Sequence, residues 1–259
     1  MEENTPRSER SGGSAGDHVR KLSPEFVVDA LYQGDVEILG QILPSSNVTF
    51  LSRIVYVDVE FLAVYKPSQG ESPLWDFPEG TLCLRETAAY LLSSLLGWPR
   101  IPPTALREGR YGIGTFQFYV DALAGANYFT WRSEFQNELR AIALFDLLIN
   151  NADRKGGHVL LDRFNQIWAI DNALTFHVED KLRTVIWDFS GQPISPAHLG
   201  NLEELHEHLA DAGDRYLDLD QLLAREEIRA TKERLIGLLT RRIYPMPDST
   251  RRQVPWPLV

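Results

Sequence analysis

The sequence predicts an α+β chain of two lobes, a small β-rich one first and a larger helical one after it. Three observations predict it. Runs of β-branched and aromatic residues crowd between residues 36 and 67. A helical period closed by glycine, LCLRETAAYLLSSLLG, fills residues 82–97. Beyond residue 121 the patterned sequence is mainly helical, with apolar residues three and four apart. The 259 residues, 44% hydrophobic and 24% charged, have the balance of a folded chain and suffice for one large domain or two lobes.

In order, residues 1–17 (MEENTPRSERSGGSAGD) lack large apolar groups and are expected to be a disordered tail. An N-lobe over 18–121 and a C-lobe over 122–259 follow. PEFVVDALYQG, residues 24–34, reads as a short helix. Strands are expected over 36–43, 48–59 and 60–67, with PSSN at 44–47 as a turn. The Pro, Ser, Gly and Glu content of 67–80 marks a loop before the helix at 82–97. Residues 101–106 and 114–121 complete the sheet. SEFQNELRAIALFDLLINN, 133–151, carries a serine start signal and a buried face, and NLEELHEHLADA and LDLDQLLAREEIRATKERLIGLLTRRIY are helical again.

Composition excludes several roles. A formal net charge of -10 disfavours the phosphate backbone of nucleic acid and an anionic membrane surface, so peripheral membrane contact has no support from charge. No apolar run approaches the ~18 residues of a spanning helix, and the N-terminus lacks a secretory pattern, which points to a cytoplasmic protein. Cys83, the single cysteine, leaves no disulfide framework and no cysteine-built metal site.

Four residues stand out for chemistry. Lys66 lies in a strand, AVYKP; Glu86 lies on the helix that follows; Asp153 and Asp171 sit in polar loops, NNADRKGGH and AIDNALTFH. Each alone has an ordinary reading as a solvated lysine, a surface glutamate or a turn aspartate. Together, in this order, they match what phosphoryl transfer from ATP requires, because that reaction is mostly positioning and charge neutralisation. Lys66 would meet the α and β phosphates, Glu86 would hold Lys66, Asp153 would take the acceptor proton, and Asp171 would bind a metal.

Five segments, VYKP, RETAAYLLSSLLG, GTFQFYVDALAGANYF, LLINNADRKGGH and WAIDNALTF, resemble in that order the corresponding segments of the phosphatidylinositol 3- and 4-kinase superfamily, nearest the type II phosphatidylinositol 4-kinases. The likeness covers residues 36–177; a more distant one is to the HipA-type toxin kinases, whose acceptor is a protein serine or threonine. It implies a two-lobed protein-kinase-like (phosphatidylinositol kinase-like) fold using ATP with Mg²⁺ or Mn²⁺. By the same resemblance Ser45, Ser46 and Asn47 lie over the ATP phosphates, and Phe116, Gln117, Phe118 and Tyr119, running into Val120, form the hinge that receives adenine. Asp153 matches the catalytic aspartate, Arg154 the basic residue beside it, and Asp171 the metal ligand. His158 stands where the family carries a metal-binding asparagine. Imidazole suits Mn²⁺ better than Mg²⁺, so either the metal preference shifts or a second metal is lost.

The expected reaction moves the γ-phosphoryl of ATP to a hydroxyl on an inositol lipid, a protein side chain or a small metabolite. In TFHVEDKLRTVIWDFSGQPI the only basic residues are Lys181 and Arg183, which counts against a phosphoinositide. Two other readings stay open: a nucleotide-binding pseudokinase acting as scaffold or regulator, and an AMP transferase on the same fold.

Overall fold

Five strands pair edge to edge: Asp35–Gln41 (β1), Phe50–Tyr56 (β2), Val59–Pro67 (β3), Thr104–Gly109 (β4) and Gly112–Phe118 (β5), with buried positions alternating along β2 and β3. In the computed structural model, which describes residues 22–43, 47–211 and 219–259, they form one antiparallel sheet in the order β1-β2-β3-β5-β4. The expected tail over 1–17, and the expected phosphate-loop residues Ser45 and Ser46, lie outside the described residues. The run expected as one strand over 48–59 is two. Val57, exposed and at φ 57, turns the chain, so Val59 belongs to β3 and pairs back with Tyr56.

Helix Pro24–Gln33 (α1) starts where Ser23 Oγ accepts the Phe26 N–H at 3.2 Å, and it packs Val27, Ala30 and Leu31 against Ile54, Tyr65 and Phe116 of the sheet. Tyr65 stacks on Phe116 with centroids 4.3 Å apart, and its hydroxyl donates to the Gly112 carbonyl at 2.5 Å. A Cβ at residue 109 would stand 2.7 Å from the Tyr65 ring, which is why that strand end carries glycine.

Helix Leu82–Leu96 (α2) is stopped by Gly97 in the left-handed region at φ 74. It is buried on almost all sides, and its Ala88, Ala89 and Leu92 join the core of the second lobe. That lobe is built from Tyr128–Trp131 (α3), Gln136–Ile149 (α4), a hairpin of Val159–Leu161 (β6) and Ile167–Ala169 (β7), Pro196–Asp211 (α5), Leu219–Leu222 (α6) and Arg225–Arg241 (α7). Leu139, Phe145, Leu148, Leu202 and Leu235 are fully or almost fully buried at its centre. Two expectations shift. α4 begins at Gln136, not Ser133, because α3 and a turn occupy the preceding residues. The last helical stretch breaks at Ala224, extended at ψ 151, whose N–H donates to Glu227 Oε2 at 3.0 Å. Among the described residues no helix is long and apolar enough to cross a membrane.

Candidate active site

Strand alternation sends Tyr65 into the sheet core and turns its neighbour Lys66 to the other face, toward α2. There Lys66 Nζ lies 2.9 and 3.0 Å from the two carboxylate oxygens of Glu86, whose side chain is 1% exposed. Asp171, just past β7, reaches the same ammonium, with Oδ1 at 3.3 Å. Asp171 holds φ 56, a left-handed conformation that aspartate tolerates better than most residues and that clusters at functional sites. Its side chain remains 45% exposed, so its oxygens keep acceptor capacity for a ligand.

These charges tune one another. Burial works against the Lys66 ammonium, but the Glu86 and Asp171 carboxylates outweigh it and hold its pKa above the ordinary value. Desolvation alone would raise the Asp171 carboxyl; Lys66 first, then His158 and Arg154, reverse this and hold it well below the usual carboxylate range. Burial pushes His158 down and leaves it neutral, in spite of Asp171. His158 Nε2 sits 3.2 Å from Asp171 Oδ2, while its Nδ1 faces the Lys155 N–H at 3.4 Å. A neutral imidazole has one N–H, and the carboxylate draws it to Nε2. The ring therefore steadies Asp171 as a donor.

Asp153 follows the C-cap of α4, where Asn150 adopts φ 56. Its backbone N–H donates to Asn151 Oδ1 at 3.0 Å and its carboxylate meets Lys155 Nζ at 2.9 Å. Arg154 points the opposite way. It is fully buried: Nε donates to both Asp146 oxygens at 3.1 Å, Nη1 to the Ile170 carbonyl at 2.7 Å and Nη2 to Asn172 Oδ1 at 2.5 Å. It ties the Asp153 loop to the Asp171 loop from beneath and has no face on the cleft.

The expected hinge is also used differently. Phe116 and Gln117 lie inside β5 with partners on β3 and β4, Phe116 is buried in the sheet core, and Gln117 Nε2 donates to Thr104 Oγ1 at 2.9 Å. The Phe118 and Tyr119 amides donate to the Pro103 and Leu62 carbonyls at 2.8 and 2.9 Å. Main-chain donors still unpaired among the described residues begin at Val120 and Asp121. Asn47 spends Oδ1 on the Ser72 N–H at 2.8 Å.

Sequence reasoning passed over four residues the site depends on. Lys155 adds a cation beside Asp153. Asp146 and Asn172 anchor Arg154, and a lone acid in the apolar run ALFDLLI was the available signal for Asp146. Arg85, next to Glu86, faces away from the cleft and donates to the Thr175 carbonyl at 2.7 Å and to Glu227 Oε1 at 2.5 Å, joining α2 to the Asp171 loop and to α7.

No family profile matches the chain. The Mycobacterium tuberculosis protein Rv2133c is 37% identical over 266 residues, an overlap of 88% of this chain and 93% of that protein. The chain belongs to the Rv2133c family. A rice (Oryza sativa subsp. japonica) phosphatidylinositol 4-kinase gamma 4 is 28% identical over 149 residues, 48% of this chain and only 26% of the plant protein. Among solved structures, a Golgi casein kinase with Mn and ADP bound superposes at a TM-score of 0.55 and 14% identity, covering 84% of this chain and 74% of that one. This Rv2133c-family chain thus has a kinase-like fold.

Proposed function

We propose that the chain is an ATP-dependent phosphotransferase of the phosphatidylinositol 3-/4-kinase-like type that moves the γ-phosphoryl group to a hydroxyl acceptor. The observation that carries this reading is the meeting of Lys66, Glu86 and Asp171 from three separate elements within 3.3 Å of one ammonium. The rice relative and the Golgi kinase add support: one is named a phosphatidylinositol 4-kinase, the other was solved with Mn and ADP.

In this reading Lys66 presents its charge to the nucleotide phosphates, and Glu86 keeps it from collapsing onto Asp171 alone. Asp153 accepts the proton of the attacking hydroxyl, and Lys155 offsets the negative charge gathering on the transferred group. No three or more His, Cys, Asp or Glu among the described residues are arranged to hold a metal ion by themselves, so a divalent ion on Asp171 would take most of its ligands from phosphate and water, as Mg²⁺ commonly does. The half-exposed Asp171 carboxylate fits that demand. Such an ion supplies charge neutralisation of the phosphates.

The test is ATP turnover by purified protein with Mg²⁺ and with Mn²⁺, beside Asp171→Ala and Asp153→Asn. Turnover present in the wild type and lost in both variants supports the reading. Turnover unchanged by Asp153→Asn removes that residue as the base. One observation favours a nucleotide-binding pseudokinase instead: His158 donates to Asp171 where a second metal ligand is expected. Stabilisation by ADP and Mn²⁺ without turnover on any acceptor would select it.

A further inference from the structure

A cleft of about 350 Å³ opens between the loop carrying Trp75, residues 179–183, and residues 251–252 near the C-terminal end of the chain. Its walls are fixed by charge pairs and backbone bonds. Lys181, nearly buried, binds Asp76 at 3.0 Å and lies 4.6 Å over the Trp75 ring, and it meets Glu179 at 3.5 Å. The Gln253 carbonyl accepts the Thr184 N–H at 3.1 Å and the Trp187 indole N–H at 3.0 Å, which pins the Arg251–Arg252 stretch alongside. Arg251 is paired with Asp180 and Asp248. Lys181 and Arg251 thus each face two carboxylates within the walls.

Arg183 and Arg252 do not. Neither guanidinium makes an ion pair among the described residues, and Arg252 spends only Nε, on the Val254 carbonyl at 2.9 Å. The cleft thus carries two planar cations without an ion-pair partner among the described residues, each with parallel donors suited to an oxyanion, beside a tryptophan that is 89% exposed. Its position ties it to chemistry. The Arg183 N–H donates to the Asn151 carbonyl at 2.9 Å and its own carbonyl accepts the Arg154 N–H at 3.0 Å, so this backbone brackets Asp153.

We propose that this cleft binds a phosphate monoester carried by the hydroxyl-bearing acceptor, with Arg183 and Arg252 on the phosphate and the Trp75 face against the carbon skeleton. A phosphate near two negative charges matches the two guanidiniums. The word acceptor rests on the phosphotransferase reading; the anion site stands without it. A polyol phosphate in solution and a lipid headgroup share this chemistry, and the experiment separates them.

Glycerol 3-phosphate is titrated calorimetrically into wild-type protein and Lys66→Met, which removes the competing cation, and sedimentation follows binding to phosphatidylcholine vesicles with and without phosphatidic acid. Arg183→Gln and Arg252→Gln are each expected to weaken binding about tenfold, from the loss of a charge-assisted contact, with Arg229→Gln, a surface change on α7, as control. Saturable binding of the soluble probe, weakened by the two cleft variants and not by the control, supports the proposal; the same pattern on vesicles alone supports it with a lipid headgroup as source. No binding in either arm, or equal weakening by all three variants, overturns it. Stabilisation by ADP and Mn²⁺ is measured in parallel. Its absence beside intact phosphate binding sinks the phosphotransferase reading and spares the anion site; its presence with no phosphate binding does the reverse.

Discussion

Asp171 and Asn172 are adjacent, yet one belongs to a cluster that is open and the other to a cluster that is sealed. Lys66, Glu86 and Asp171 form a charge group at the cleft, with the Asp171 side chain 45% exposed. Asp146, Arg154 and Asn172 form one beneath it with no exposure beyond 1%. In the sealed group nearly every polar atom is spent: Asp146 accepts from Arg154, from Asn151 Nδ2 at 3.1 Å and from Thr184 Oγ1 at 3.2 Å. A saturated buried network holds geometry and has nothing left to give a ligand, whereas an open pair with spare acceptors can be re-used by one. The two loops that carry Asp153 and Asp171 thus owe their spacing to a core network that has no exposed surface.

The largest expected effect tests the sealed side. Asp146→Ala leaves a buried guanidinium without its carboxylate and should lower the unfolding free energy by about 3–5 kcal/mol, read by urea denaturation. A loss within about 1 kcal/mol would break the comparison, since the network would then contribute no more than an ordinary contact. Asp171→Ala is the mirror test. Lys66 keeps Glu86, so stability should change by less than about 1 kcal/mol, while ATP turnover falls at least about a hundredfold.

Next comes the joint between the two regions. Arg85 is 1% exposed and grips Glu227 and the Thr175 carbonyl one residue before Glu86. Arg85→Met keeps much of the volume and removes the grip. It should lower stability by about 3 kcal/mol and raise the KM for ATP, because α2 is freed to carry Glu86 away from Lys66. In an Glu86→Ala background the KM effect of Arg85→Met should vanish while the stability loss persists. Persistence of both would mean that Arg85 acts on the fold alone.

The same division explains what could be read from the sequence. The meeting of Lys66, Glu86 and Asp171 was legible because charged residues in fixed order among apolar ones leave few structural uses, and the sheet and α2 were legible from periodicity. Arg154 looked catalytic because its place beside Asp153 says nothing about which way its side chain turns. Local pattern could not show that Pro103 and Leu62, far off in the chain, take up the Phe118 and Tyr119 amides of the expected hinge. Arg85, Asp146 and the Arg183–Arg252 cleft each depend on contacts spanning between 8 and 142 positions in the chain, which no local pattern records.

His158 offers a smaller test at the boundary of the open cluster. His158→Asn exchanges a nitrogen donor to Asp171 for a side chain with a hard oxygen, and it should shift the ratio of activities from Mn²⁺ toward Mg²⁺ with little change in stability. An unaltered ratio would confine His158 to steadying Asp171.

The smallest effect sharpens the rule that sealed networks are saturated, through a site that breaks it. His198 on α5 lies 4.6 Å from the Trp98 ring, and its Nδ1 is buried with no hydrogen-bond partner among the described residues. Burial, aided by Arg140, holds its pKa below the ordinary 6.5. The folded imidazole then stays neutral where the unfolded one takes up a proton, so this residue removes stability as pH falls below about 6.5 and has no effect above it. Urea unfolding of wild type and His198→Gln at about pH 7.5 and about pH 5.5 should show a shallower acid loss in the variant, by less than about 1 kcal/mol. Equal slopes would mean that His198 gains its proton as readily folded as unfolded, and that a buried ring nitrogen left without a partner costs this lobe nothing measurable in acid.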